Sequence, residues 1–221
     1  MIRLQQRKFV AYCKYQSENF NAFRSDEMKQ LTTRIFLCGM PGSGKSTLGK
    51  RLARHLEVPF YDLDDLIEAS EGRAVKAIFK AHGEAYFREA ERNALAAYIQ
   101  SNEPKQTSIL ALGGGTPCFF DNMQLIRESG VSVFLDTPIG TITARMLAEE
   151  EMLKRPLMAG VGASGIEEEL RRKYRERVPF YNRAHFKIKG DESIESISSL
   201  IISFVSQSES KANRDGDSGI S

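Results

Sequence analysis

The 221-residue chain has few cysteines, no long apolar run and almost no net charge. Its three cysteines, Cys13, Cys38 and Cys118, are an odd number without a CxxC pairing. This argues against a disulfide scaffold or zinc site and favours a reducing compartment such as the cytoplasm. No run of 18 or more apolar residues occurs, so no membrane-spanning segment is expected. Thirty-one basic and 29 acidic residues leave a charge of +2, which does not indicate a dedicated nucleic-acid binder.

The two ends of the chain differ in composition from the part between them. Residues 1–30 are polar, mixed in charge and without the apolar region of a secretory signal. They are interpreted as a disordered extension, or as residues included because the start codon was assigned upstream of Met28. Their acidic residues argue against a transit peptide. Residues 207–221 are polar and rich in glycine and serine, so disorder is expected there. A single domain is predicted over residues 31–206.

Short apolar runs alternate with helical patterns in this central part. Leu48, Leu52 and Leu56 recur every four residues, which indicates one face of a helix. Strands are predicted at residues 34–38, 58–62, 108–112, 131–135 and 186–189, and helices include residues 84–100, 139–150 and 166–181. The alternation predicts an α/β fold of three layers, in which a parallel sheet has helices on both faces.

Residues 39–46, GMPGSGKS, fit the pattern GxxxxGK[ST] between an apolar strand and a helix. Glycines allow the backbone N–H groups to turn toward phosphate oxygens, and the helix N-terminus adds the positive end of its dipole. Lys45 can reach the outer phosphates of ATP, and the Ser46 hydroxyl can bind Mg²⁺. The residues predicted to bind the nucleotide in this segment are Gly42, Ser43, Gly44, Lys45, Ser46 and Thr47.

Two acidic residues follow the second predicted strand, where ligands of open α/β sheets bind. Asp62 is suited to holding Mg²⁺ through water, and Asp64 to accepting a hydrogen bond or a proton from a substrate hydroxyl. The alternative is that these carboxylates cap a helix that starts near Leu66, a role preferred here for Asp65. No apolar run ending in Asp-Glu appears, which argues against a motor ATPase.

Two further features are candidates for binding the acceptor substrate. Arg88 and Glu91 lie three residues apart on one helix, so Glu91 can fix the guanidinium as a clamp for a carboxylate. Gly113, Gly114 and Gly115 follow the third strand, where they expose backbone N–H groups and allow close approach of a substrate; the alternative is a flexible loop.

A segment at about residues 150–166 has the composition of a lid, with Arg155 at its root and a Gly/Ala/Ser stretch after it. An arginine there can move onto the transferring phosphoryl group. Arg177 is another candidate anion contact. For both arginines the alternative is an ordinary surface position.

The motifs GMPGSGKS, FYDLDD, IFKAHGEAYFRE, LGGG, KRPL and RVPFY occur in this order, and together they closely resemble the shikimate kinase family. The resemblance covers roughly residues 33–205. It implies a five-stranded parallel sheet with a helical substrate-binding region and a lid. It also implies transfer of the γ-phosphoryl group of ATP, with Mg²⁺, to the 3-hydroxyl of shikimate, a step of chorismate and aromatic amino acid biosynthesis.

The same resemblance implies roles for individual residues. Asp64, Arg88, the triple glycine and Arg177 match the family's shikimate contacts, and Phe79 and Phe87 match the apolar wall of its pocket. Arg155 matches the lid arginine and Arg145 the arginine that lies against adenine. Lys45, Ser46 and Asp62 match the phosphate and Mg²⁺ positions, so that Lys45, Asp64 and Arg155 are the catalytic candidates.

Two alternatives remain open from the sequence. Another small-molecule kinase of the same group, such as a gluconate kinase, would share the phosphate loop and lid but should lack the FYDLDD, FRE and GGG combination. A non-catalytic nucleotide-binding module would not need Asp64, Arg88 and Arg177 to converge. A monomer is expected, with no nucleic-acid or membrane partner.

Overall fold

A parallel sheet forms the centre of the protein in the computed structural model, which describes residues 33–101, 107–147, 163–190 and 192–216. The five strands lie in the order β2-β3-β1-β4-β5, and every neighbouring pair is parallel. They are β1 (Arg34–Cys38), β2 (Phe60–Asp62), β3 (Ser108–Ala111), β4 (Val131–Asp136) and β5 (Phe186–Lys189).

Seven α-helices connect or follow these strands within the described residues. They are α1 (Lys45–Leu56), α2 (Leu63–Glu71), α3 (Val75–Ser101), α4 (Asn122–Ser129), α5 (Ile139–Leu147), α6 (Ala163–Tyr181) and α7 (Ile194–Gly216). A short 3₁₀ turn, Thr116–Cys118, lies between β3 and α4. No helix in the described part of the chain is both long and apolar enough to cross a membrane.

The sheet separates two hydrophobic cores because successive side chains of a strand point to opposite faces. On β1, Ile35 and Leu37 belong to one core, whereas Phe36 and Cys38 belong to the other. The first core is completed by apolar residues of α1 and α7, and the second by those of α2 to α6. All five β1 residues are buried, as expected for a central strand covered on both faces. The prediction of a three-layer α/β fold is confirmed.

The strand register places the functional loops at one edge of the sheet. Asp62 pairs with Ala111, and Ala111 pairs with Leu37, so the carboxyl ends of β2, β3 and β1 are level. The segments that follow these strands therefore meet at the edge where open α/β sheets bind their ligands.

Some predicted boundaries differ from the structure. Strand β2 begins at Phe60 rather than residue 58, since Glu57 adopts a left-handed conformation to end α1. The helix predicted at residues 84–100 begins at Val75, with a break at Gly83. Helix α7 continues to Gly216, beyond the predicted start of a disordered tail at residue 207, because no glycine or proline interrupts it earlier. The N-terminal extension and the centre of the predicted lid lie outside the described residues.

Candidate active site

The phosphate loop takes a backbone path that requires glycine. Gly39, Gly42 and Gly44 have φ angles of 145°, 77° and 101°, which side-chain-bearing residues rarely adopt. At Gly39 a Cβ would also lie 2.7 Å from the carbonyl oxygen of Leu135. The loop ends where α1 begins at Lys45, so the first N–H groups of this helix face the loop.

Two buried polar side chains of this loop are suited to phosphate oxygens. The Ser43 side-chain oxygen is buried and has no hydrogen-bond partner among the described residues. Lys45 is 8% exposed, and its ammonium donates to the carbonyls of Gly39 and Met40 at 3.1 and 3.0 Å. A buried donor without a partner costs free energy. The loop therefore fits a ligand that brings acceptor oxygens to it, as a nucleotide's phosphates do.

Groups from the end of β4 and from α5 hold the phosphate loop in place. The Thr137 hydroxyl donates to the Ser43 carbonyl at 2.9 Å. Arg145 donates to the carbonyls of Gly42 and Ser43 at 3.2 and 2.9 Å, and its guanidinium is otherwise exposed. Arg145 thus lies against the phosphate loop, and its role beside adenine stays a prediction. Thr137 was missed, since a single threonine after a strand carries no motif.

Ser46 and Asp62 meet beside this loop. The Ser46 hydroxyl donates to Asp62 Oδ2 at 2.6 Å, and Asp62 Oδ1 accepts from the Asp64 backbone N–H at 3.2 Å. Asp62 is therefore the N-cap of α2 and also the partner of Ser46. The cap role preferred for Asp65 was wrong, because α2 starts at Leu63 and places Asp65 within its first turn.

These two oxygen ligands fit the hard cation Mg²⁺, which usually takes only one or two protein oxygens and completes its shell with phosphates and water. Within the described residues, no group of three or more His, Cys, Asp or Glu side chains forms a metal cluster. Asp64 and Thr47 are exposed, in the first turns of α2 and α1.

Arg88 is fixed by a buried carboxylate, as its spacing from Glu91 predicts. Arg88 Nη1 donates to Glu91 Oε2 at 2.9 Å, and the Glu91 side chain is only 1% exposed. The other Glu91 oxygen accepts from the Thr116 hydroxyl at 2.5 Å. Burial disfavours the charged form of Arg88, but Glu91 and Glu84 outweigh it and hold its pKa above the ordinary value. The guanidinium therefore remains a cation.

Two further contacts of Arg88 could not be read from its spacing to Glu91. Glu84 Oε1 accepts from Nε at 3.2 Å and from Nη2 at 2.8 Å. The Phe119 ring lies over the guanidinium, with its centroid 4.3 Å from Cζ, within the range of a cation–π contact. Thr116 and Phe119 belong to the turn after the triple glycine and were missed, because only the tertiary structure brings that turn to α3.

At each of the three glycines, a side chain of the protein itself fills the space that a Cβ would occupy. A Cβ at Gly113 would lie 2.3 Å from Glu91 Oε1, and one at Gly114 would lie 2.6 Å from the Pro41 ring. At Gly115 it would lie 2.4 Å from Arg88 Nη1. The triple glycine therefore joins the phosphate loop, through Pro41, to the arginine clamp.

An aromatic pair lies beside this clamp. Phe79 and Phe87 have ring centroids 4.4 Å apart, and Phe87 is 4% exposed whereas Phe79 is partly buried. Their position on either side of the break at Gly83 brings two apolar rings together next to Arg88. Their role as the apolar wall of a substrate pocket stays a prediction.

Helix α6 brings Arg177 toward the same region. The Tyr181 hydroxyl, one turn further along, donates to the Gly114 carbonyl. Burial raises the pKa of the Cys118 thiol to about 11, and the opposing charges that lower it are Arg177 first and Arg88 second. Both arginines therefore lie within electrostatic range of Cys118. Arg155 lies outside the described residues.

The edge of the sheet therefore offers phosphate-binding groups on one side and the fixed cation Arg88 on the other, and the Gly114–Pro41 contact joins the two. This is the arrangement of a P-loop phosphotransferase that acts on a small anionic acceptor.

Comparison with known proteins narrows this class. The family model described as shikimate kinase matches residues 41–206. Since the match spans more than half of the chain, the chain belongs to the shikimate kinase family. A shikimate kinase of Bacteroides fragilis is 38% identical over 153 residues, which cover 69% of this chain and 82% of the relative.

Solved structures agree with this assignment. The crystal structure of shikimate kinase from Bacteroides thetaiotaomicron has a TM-score of 0.66 and 34% identity, and covers 82% of this chain and 98% of its own. Shikimate kinase from Acinetobacter baumannii in complex with shikimate has a TM-score of 0.67 and 28% identity. The match covers 85% of this chain and 98% of the Acinetobacter chain. Members of the family are ATP-dependent kinases, and so is this chain.

Proposed function

We propose that this enzyme transfers the γ-phosphoryl group of ATP to the 3-hydroxyl of shikimate, giving shikimate 3-phosphate and ADP. The observation that carries the proposal is the arginine clamp at the same sheet edge as the phosphate loop. Arg88 is held by a buried carboxylate, and a fixed guanidinium is suited to bidentate recognition of a substrate carboxylate.

On the donor side, we assign the phosphates of ATP to the N–H groups of residues 42–47, the Ser43 hydroxyl and the Lys45 ammonium. Arg145, which donates to the carbonyls of Gly42 and Ser43, is assigned to the adenine end of the nucleotide. Ser46 and Asp62 would hold Mg²⁺, which when bound neutralises charge on the phosphate oxygens. The protein's own part in the transfer is to orient the donor and to supply the positive charge of Lys45.

On the acceptor side, Arg88 and Arg177 bind the substrate carboxylate, and Phe79 and Phe87 pack against the ring. Asp64 accepts a hydrogen bond from the hydroxyl that is phosphorylated. The triple glycine contributes backbone N–H groups, and the absence of its side chains lets Glu91, Pro41 and Arg88 approach the turn. Arg155 is assigned to the transferring phosphoryl group. Transfer to a hydroxyl depends mainly on positioning and charge neutralisation, so no histidine is required.

The decisive assay measures ADP release by the purified chain with shikimate, gluconate and nucleoside monophosphates in parallel. We expect ADP release that depends on shikimate and a product phosphorylated at the 3-hydroxyl. Folded protein that releases ADP only with gluconate or a nucleotide would assign it to another kinase of the group. Nucleotide binding without release in any arm would indicate a non-catalytic module.

We also propose a monomer in the cytoplasm. Cys38 and Cys118 are free cysteines, which agrees with a reducing compartment. Light scattering on the eluting protein would test the oligomeric state, and a dimer at working concentration would contradict it.

A further inference from the structure

Arg88 makes ion pairs with two carboxylates that differ in how they are held. A guanidinium has five N–H donors. Glu91 takes one from Nη1, whereas Glu84 takes the Nε donor and one from Nη2. The Nε and Nη2 donors form one edge of the guanidinium fork, the kind of edge to which a substrate carboxylate binds bidentately. Glu84 therefore occupies that edge in the protein without substrate.

Burial distinguishes the two carboxylates. Glu91 is 1% exposed and is also bound by Thr116, so breaking its pair with Arg88 would leave the Glu91 charge buried without a cationic partner. The Glu84 side chain is 61% exposed and can be solvated as soon as it leaves Arg88. An ion pair with one partner in water contributes little to stability and is readily exchanged. Of the two contacts, only the one to Glu84 can be given up at small cost.

The backbone conformation of Gly83 places Glu84 next to Arg88. Gly83 has φ 77° and ψ −175°, a region open essentially to glycine alone, and no atom lies within 4 Å of a Cβ built there. The glycine is thus required by conformation rather than by packing. It makes Glu84 the first residue of the second segment of α3, one turn before Arg88. A carboxylate at a helix N-terminus is also favoured in its own right, which gives Glu84 a stable position when it is not bound to Arg88.

We propose that Glu84 is a positioning residue that determines affinity for the acceptor: it holds Arg88 before binding and is displaced by the substrate carboxylate. The inference rests on the proposed role of Arg88 in binding that carboxylate. The exchange keeps Arg88 paired at every stage and places the guanidinium between Phe119 and Gly115 before substrate arrives. The exchange lowers the affinity for the substrate, because the substrate carboxylate must replace the ion pair between Glu84 and Arg88.

Replacement of Glu84 tests this exchange. Glu84→Gln removes the charge and keeps the size, so the Kd and KM for shikimate should fall about two- to fivefold, the equivalent of one exposed ion pair. The KM for ATP should stay the same, and kcat should change less than the KM for shikimate. Glu84→Ala removes the contact altogether and should lower the shikimate Kd at least as far.

Glu89→Gln is the matched control, since Glu89 is an exposed glutamate on the same helix and its loss changes the net charge equally. A general effect of net charge would lower the Kd for shikimate in both variants, and high salt would weaken it. Displacement of Glu84 predicts that the Kd falls further in Glu84→Gln than in Glu89→Gln. The methyl ester of shikimate, which lacks the negative charge, should gain little from Glu84→Gln.

Calorimetric titration of the wild type and variants with shikimate distinguishes an error in the proposed function from an error in the proposed role of Glu84. If the wild type neither binds nor phosphorylates shikimate, the proposed function is wrong. If it does both and Glu84→Gln leaves the Kd unchanged or raises it, Glu84 is not displaced and this inference is overturned. In a crystal with shikimate, Glu84 Oε1 should lie more than 4 Å from Arg88 while Glu91 keeps its contact; an intact Glu84 pair there would equally contradict the exchange.

Discussion

Replacing Gly115 by alanine should weaken shikimate binding without affecting ATP binding. Gly115 has φ −91° and ψ −24°, which alanine adopts without strain, so the effect of the new methyl group can be attributed to its contacts. That methyl would lie 2.4, 2.7 and 2.9 Å from Nη1, Cζ and Nη2 of Arg88. Ordinary contact begins at 3.4 Å, so the guanidinium must move by about 1 Å.

Arg88 cannot make this movement freely. Glu91 holds it at 2.9 Å from one side, and the Phe119 ring lies 4.3 Å from Cζ. A misplacement of about 1 Å in a positioning group can cost on the order of 10²-fold in rate, so kcat/KM for shikimate should fall about 10- to 100-fold. The loss should appear mainly in the Kd and KM for shikimate.

Gly140→Ala is the matched control for this substitution. Gly140 lies in α5, and a Cβ there meets no atom within 4 Å, so its kinetics should match those of the wild type. Circular dichroism and the midpoint of thermal unfolding check that both variants fold. The reasoning is refuted if folded Gly115→Ala binds shikimate as tightly as the wild type, or if it loses ATP affinity to the same extent.

Three other substitutions test separate parts of the structure. Lys45→Met should lower kcat by about 10²- to 10³-fold, because it removes a donor to the transferring group; near-normal turnover of the folded variant would exclude that role. Glu91→Gln should lower the free energy of unfolding by about 2–3 kcal/mol, since it neutralises the buried partner of Arg88, and urea unfolding that shows no loss would contradict this. Burial lowers the pKa of His185 to about 4, and its Nδ1 accepts from the Ser132 N–H. The unfolded chain therefore takes up this proton first, and the contribution of His185 to stability should fall by about 1–2 kcal/mol from pH 7 to pH 4, since solvent screens a half-buried group. In urea unfolding, His185→Asn should show a shallower fall, and an unchanged slope would refute the assignment.

Local sequence predicted the parts of the site that lie within one stretch of chain. The phosphate loop needs only contiguous residues: an apolar strand, glycines that permit positive φ, and the first turn of a helix. The spacing of Arg88 and Glu91 likewise sets their distance within one helix turn. The α/β class followed for the same reason, since the alternation of short apolar runs with helical patterns is a local property.

The role of Asp62 could not be predicted from the neighbouring sequence alone. From the sequence, capping and metal binding stood as alternatives for this residue. In the structure its two oxygens have separate partners, the Asp64 N–H and the Ser46 hydroxyl. The second contact joins the ends of different elements and depends on the order of the strands, which periodicity does not contain.

The sequence by itself determined the class of fold, the phosphate loop, the arginine–glutamate pair and, through its ordered motifs, the family. Only the tertiary structure decided which carboxylate beside Arg88 is fixed and which is free to leave. Glu84 lies four residues before Arg88 and Glu91 three residues after it, both within one helix turn, yet their side chains are 61% and 1% exposed. The difference arises because the glycine turn after β3 packs Thr116 against Glu91 and leaves Glu84 in water. Solvent exposure sets the cost of breaking an ion pair, and exposure is a property of the packed chain.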